Sequence, residues 1–112
     1  MIQSIIDVAI VVSKAQKSAE WYRDKLGLEI RANEAHWVTV APKGSDVVIH
    51  LCEGELEPGN TGIAFRVNNL DETYSELTKK GVEFTVKPTK EEWGSYAMFK
   101  DPDGNVFWIM PG

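Results

Sequence analysis

The sequence predicts an α+β fold made of two βαβββ modules. Three observations carry this. Short apolar runs alternate with period two, two segments switch to helical spacing, and the same order of elements occurs twice along the 112 residues. Ile6-Asp7-Val8-Ala9-Ile10-Val11-Val12 and Thr61-Gly62-Ile63-Ala64-Phe65-Arg66-Val67 each read as a strand that leads into a helix start.

In the first module, Ser13-Lys14-Ala15-Gln16 has the pattern of a capping box, and Ala15, Ala19, Tyr22 and Leu26 follow at helical spacing. Gly27 stops the helix. Strands are predicted over 29–33 and 36–41 with a polar turn between them. Pro42-Lys43-Gly44-Ser45 turns the chain into a fourth strand that ends Asp46-Val47-Val48-Ile49-His50-Leu51. Residues 53–60 are acidic and turn-rich and read as an exposed linker, with Glu53, Glu55 and Glu57 on a solvated face. The second module begins its helix at Asn69-Leu70-Asp71-Glu72, continues through Tyr74 and Leu77, and stops at Gly81. A short strand over 83–87, a loop over 88–94 and a strand over 95–100 follow. Asp101-Pro102-Asp103-Gly104 is a hairpin turn, and Asn105-Val106-Phe107-Trp108-Ile109-Met110 closes the module. The reading is one domain over 1–112, with modules spanning about 1–54 and 59–112.

Composition excludes several classes. With 43% hydrophobic and 26% charged residues the chain is neither disordered nor of low complexity. Twelve Lys+Arg against 17 Asp+Glu give −5, and no basic run occurs, so no nucleic-acid partner is expected. No apolar run reaches the ~20 residues of a membrane helix, so no membrane partner is expected either. The first residues lack the basic flank and cleavage site of a signal peptide. The single Cys52 makes no internal disulfide, and the expected compartment is a reducing cytoplasm.

Ala19-Glu20-Trp21-Tyr22-Arg23-Asp24-Lys25-Leu26-Gly27, and Trp93-Gly94 followed by Asp101-Pro102-Asp103-Gly104-Asn105, together with the paired modules, resemble the vicinal oxygen chelate superfamily. Its members include glyoxalases, extradiol dioxygenases, fosfomycin-resistance enzymes and bleomycin-resistance proteins. The resemblance covers essentially the whole chain. It implies curved mixed sheets around a cavity, with the helices on the outer face. It also implies four metal-ligand positions, one on the first and one on the last strand of each module. Here those positions are Asp7, His50, Gly62 and Trp108. Gly62 has no side chain and the Trp108 indole offers only an N–H donor, so two of the four cannot coordinate.

Strand alternation assigns the cavity side. Asp7, Ala9 and Val11, then Val48, His50 and Cys52, share it in the first module. Gly62, Ala64 and Arg66, then Val106, Trp108 and Met110, share it in the second, and Trp37, Thr39, Tyr96 and Met98 join. The opposite face carries Val8, Ile10, Val12, Ile49, Leu51, Ile63, Phe65, Val67, Phe107 and Ile109 and is expected to pack under the helices. Expected ligand-binding residues are Trp37, Arg66, Tyr96, Met98 and Trp108. As a cavity wall Trp108 is expected to oppose Gly62, whose missing side chain leaves room for the indole; its plainer alternative is packing that fills vacant volume, and that of Arg66 is a counter-charge to Asp7. Asp7 and His50 form a bonded structural pair, a ligand anchor or a catalytic proton-transfer dyad, and Cys52 beside His50 offers a nucleophile pair on paper. Trp93 is a lid or a loop anchor, His36 is exposed, and Trp21 packs at the edge of the helix stripe.

The expected function is a metal-free protein of the glyoxalase/bleomycin-resistance type that binds a small organic molecule in a Trp-lined cavity, with no cofactor. The alternative is a glyoxalase-like lyase or isomerase with a degenerate or displaced divalent-metal site using Asp7 and His50. A module that binds no ligand is the third reading. A homodimer is expected, because an open sheet edge needs cover.

Overall fold

The βαβββ order predicted from the repeat occurs in both halves of the computed structural model, which describes residues 1–112. The chain divides into two units, Met1–Leu56 and Glu57–Gly112. The N-terminal unit contains β1 (Asp7–Val12), α1 (Ala15–Leu26), β2 (Glu29–Glu34), β3 (Trp37–Ala41) and β4 (Val48–Glu53). Its sheet order is β1-β4-β3-β2, with β1 parallel to β4 and the other pairs antiparallel. The C-terminal unit contains β5 (Gly59–Val67), α2 (Leu70–Lys79), β6 (Glu83–Glu91), β7 (Gly94–Lys100) and β8 (Asn105–Pro111). It repeats the pattern as β5-β8-β7-β6, with β5 parallel to β8.

Alternation sorts the two faces as the sequence predicts. Ile10, Val12, Ile49 and Leu51 are buried in the N-terminal unit, along with Ala15, Ala19 and Tyr22 of α1. Phe99, Phe107 and Ile109 are buried in the C-terminal unit with Leu70 and Leu77 of α2. Phe65 adds a third ring there, with centroids 5.5 Å from Phe107 and 6.4 Å from Phe99. Val8 departs from the expectation and is exposed, because it lies near the start of β1, an edge strand.

The helix ends show which local signals operate. Asn69 caps α2 by accepting from the Glu72 backbone N–H at 3.0 Å, and Asp71 and Glu72 place negative charge on the first turn. The capping box expected at Ser13-Lys14-Ala15-Gln16 does not form: Lys14 is the N-cap and makes no side-chain cap bond. Glu53, at the end of β4, accepts from the Ala15 N–H at 2.9 Å. Its carboxylate satisfies an orphan donor at the positive end of the helix. Glu53 is therefore a cap supplied across the fold and not simply part of a solvated acidic run. Gly27 ends α1 in the left-handed conformation, at φ 72°.

Two expectations about the C-terminal unit change. The predicted loop over 88–94 is mostly strand: β6 runs to Glu91 and β7 starts at Gly94, with Glu92 and Trp93 in a tight turn. Pro88 is tolerated because β6 is an edge strand and the register shifts between Val86 and Thr89. The predicted linker is shorter than expected, because β5 already begins at Gly59. The Asp101 turn forms as predicted. Asp101 Oδ1 accepts from the backbone N–H of Asp103 and Asn105 at 3.0 and 2.8 Å, and its Oδ2 accepts from Asn105 Nδ2 at 2.9 Å. No helix of the chain is long and apolar enough to cross a membrane.

Candidate functional site

On the C-terminal sheet the face turned away from the buried phenylalanines carries three aromatic rings in mutual contact. Trp108 comes from the middle of β8, Tyr96 from β7, and Trp93 from the turn before β7. Ring centroids are 5.0 Å apart for Tyr96–Trp108, 5.2 Å for Trp93–Tyr96 and 6.4 Å for Trp93–Trp108. Trp93 is 61% exposed, whereas Phe107, one residue before Trp108, is 0% exposed. Met98 is the direct cross-strand neighbour of Trp108. The tight turn is what brings Trp93 into the group. A long loop would have left it unplaced.

The pairing of Trp108 corrects the sequence reading. Its neighbour on β5 is Ala64, not Gly62, because the β5–β8 register shifts between Asn60 and Ala64. The irregular stretch is held by side chains. Asn60 Oδ1 accepts from the Gly62 N–H at 2.8 Å and from the Trp108 Nε1–H at 2.9 Å. Thr61 Oγ1 donates to the Val106 carbonyl at 2.8 Å and accepts from the Ile63 N–H at 3.1 Å. Gly62 sits within it at φ 75°, and a Cβ built there would meet no atom within 4 Å. Backbone conformation, not lack of space, explains the glycine. Asn60 belongs to strand β5 and not to the linker that the sequence predicts over 53–60. The signal that could have found it is a polar pair before a glycine inside a strand pattern, Asn60-Thr61-Gly62, which marks a bulge. Arg66 is exposed, makes no ion pair, and lies with its side chain against Gly112.

The N-terminal unit carries the other expected residues. The Trp37 ring lies 4.4 Å from the His50 ring. His50 Nε2 is 3.2 Å from the His36 carbonyl oxygen and can only donate to it, which fixes the tautomer with Nδ1 unprotonated when the ring is neutral. Asp7 pairs with Val48 and His50 with Ala9, so the two sit out of register and form no hydrogen bond or ion pair. The Asp7–His50 pair considered from the sequence is not formed. Cys52 Sγ lies 3.4 Å from His50 Nδ1 and 3.7 Å from Nε2. Such similar distances put the sulfur against the ring and not along the Nδ1 lone pair, so the thiol is not presented to a base. A pocket of about 270 Å³ opens beside these groups, lined by Ala15, His36, Val38, His50, Cys52 and Glu53 among others.

The metal-ligand positions that the family resemblance implies are not filled by residues that fit a metal. Gly62 supplies no donor atom, and the Trp108 nitrogen donates its hydrogen to Asn60. No three His, Cys, Asp or Glu side chains converge. An open catalytic centre of this kind rests on about three protein ligands.

Comparison with known proteins agrees with this architecture. The YetH protein of Bacillus subtilis (strain 168) is 35% identical over 97% of this chain and 98% of its own. Among solved structures, a superfamily member from Sphaerobacter thermophilus DSM 20745 is 32% identical with a TM-score of 0.89, covering 99% of this chain and 98% of that one. TnmS3, an antibiotic binding protein from Streptomyces sp. CB03234, is 30% identical with a TM-score of 0.88, covering 98% of this chain and 96% of that one. A model of the Glyoxalase/Bleomycin resistance protein/Dioxygenase superfamily matches residues 4–109, and the chain belongs to that superfamily.

Proposed function

We propose that the protein binds planar small organic molecules without a metal, in the manner of the bleomycin-resistance branch of its superfamily. The observation that carries this reading is the aromatic group on the open face of the C-terminal sheet, where Trp93 is exposed and Tyr96 and Trp108 are half-buried. Aromatic side chains there offer large apolar area with few rotatable bonds, so little entropy is lost when a flat ligand stacks on them. The description of TnmS3 as an antibiotic binding protein supports the same reading. The reading suits a reducing cytoplasm, where Cys52 stays a free thiol.

The test is a titration with acridine, followed by tryptophan fluorescence. Saturable quenching is expected in the wild type, with affinity about tenfold weaker in Trp108→Ala, a loss of about 1.4 kcal/mol. No saturable binding, or equal affinity in the variant, overturns the reading. Elemental analysis of untagged protein tests the metal-free part. Near one equivalent of a transition metal per chain, lost in Asp7→Ala or His50→Ala, overturns it.

The protein is also proposed to act as a homodimer. The edge strand β1 follows an arm whose Ile2, Ile5 and Ile6 are 94%, 66% and 73% exposed. An open edge with apolar flanks is a template for a second strand. Light scattering should give twice the 12.5 kDa chain mass, and a mass of 12.5 kDa at micromolar concentration refutes it.

A further inference from the structure

We propose that Asn60 is the polar selector of this aromatic site, favouring planar ligands that carry a carbonyl oxygen at the ring edge. This rests on the ligand-binding reading above and adds the chemical class. The amide oxygen of Asn60 has two lone pairs, and both are used, by the Gly62 N–H at 2.8 Å and the Trp108 Nε1–H at 2.9 Å. Turning the amide over would set its NH₂ against two N–H donors, so the network assigns its orientation. Asn60 is exposed, and its Nδ2 group bonds to nothing else in the chain. Two N–H donors are thus held in fixed orientation next to the indole. The indole itself has no donor left, because its Nε1–H is spent on Asn60.

This arrangement discriminates in both directions. A ligand oxygen lying over the edge of Trp108 gains a hydrogen bond from a donor that is already ordered, so little entropy is lost on forming it. A ligand N–H in the same place meets an acceptor that is already saturated and a donor that repels it. The bulge at Gly62 is what makes the geometry available. It frees the Gly62 N–H from the ladder, and that N–H pins the Asn60 oxygen.

The experiment compares coumarin with naphthalene, two flat bicyclic probes of similar size of which only coumarin carries a carbonyl. Binding is followed by the indole N–H resonances of ¹⁵N-labelled protein. In the wild type coumarin should bind about fivefold tighter than naphthalene, the size of one hydrogen bond of about 1 kcal/mol. Asn60→Asp keeps an acceptor for Trp108 and Gly62 and removes the donors. In that variant the ratio should fall to about one or below, because a carboxylate offers no donor and repels a carbonyl oxygen, with the Trp108 indole N–H still hydrogen-bonded. A wild-type ratio near one overturns the proposal while leaving acridine binding, and so the broader reading, intact. A preference kept in the variant assigns the donor to another group, such as the Tyr96 hydroxyl or Arg66, and also overturns it. If neither probe moves any indole resonance, this proposal and the ligand-binding reading fail together.

Discussion

Phe107 and Trp108 are neighbours in sequence with opposite surroundings, so replacing each by alanine measures what the strand register does. Phe107 is fully buried, with the rings of Phe65 and Phe99 at 5.5 and 5.7 Å. Emptying such a site costs the transfer energy of the ring plus the cavity left behind, about 3–5 kcal/mol. Trp108 is half-buried on the other face. Its loss removes one hydrogen bond to Asn60, worth about 1 kcal/mol, and ring contacts with Tyr96 and Trp93 worth about 0.5–1.5 kcal/mol each. No sealed cavity is left to add to this, so the cost should be about 2–4 kcal/mol. Urea unfolding of the two variants beside the wild type, with a common slope, reads the difference directly. Trp108→Ala should be the milder variant and Phe107→Ala should leave acridine binding intact wherever it remains folded. If Trp108→Ala is the more destabilising and also leaves binding untouched, the assignment of the two faces is wrong.

Gly62→Ala should cost about 1–2 kcal/mol in urea unfolding although the space around it is open, because only the left-handed backbone at φ 75° opposes a side chain. An unchanged midpoint would show that the bulge relaxes. Glu53→Ala should lose about 0.5–2 kcal/mol by uncapping α1, and Glu53→Gln, which keeps an acceptor, should lose less. Equal losses would assign the whole effect to the carboxylate's charge at the helix start and none to the hydrogen bond. Asp101→Ala should cost about 3 kcal/mol or more, since two backbone N–H groups and the buried Asn105 amide lose their acceptor. The hydrogen bond from Arg23 lowers the pKa of the Asp24 carboxyl, so its contribution is present above the ordinary carboxylate range and fades as pH falls through the folded value. Both side chains are exposed, so wild type should exceed Asp24→Asn in stability only slightly at neutral pH, with the difference vanishing in acid.

How far each feature could be read in the sequence depended on the range of the interaction that makes it. Period-two alternation separated Ile49 and Leu51 from His50, and Phe107 and Ile109 from Trp108, because a side chain's face follows from its own strand. Gly27, the Asn69 cap and the Asp101 turn were legible for the same reason: each is closed by partners within a few residues. Trp108, Tyr96 and Met98 on one open face were likewise within reach of a period-two argument.

What the sequence could not decide involves partners far along the chain or shifts of register. Glu53 caps a helix 38 positions away, and a local capping-box pattern at Ser13 carries no trace of that competitor. Asn60 reaches Trp108 across 48 positions, and only because the strand bulges at Gly62. The Asp7–His50 pair failed on register: being on one face of neighbouring strands does not bring side chains opposite each other. The sequence by itself determined the repeat, the two faces of each sheet and the turns, all consequences of local backbone geometry. The tertiary structure alone decided which polar group meets the indole, because long-range pairing sets the register of β5 on β8 and with it the position of every side-chain donor on that face.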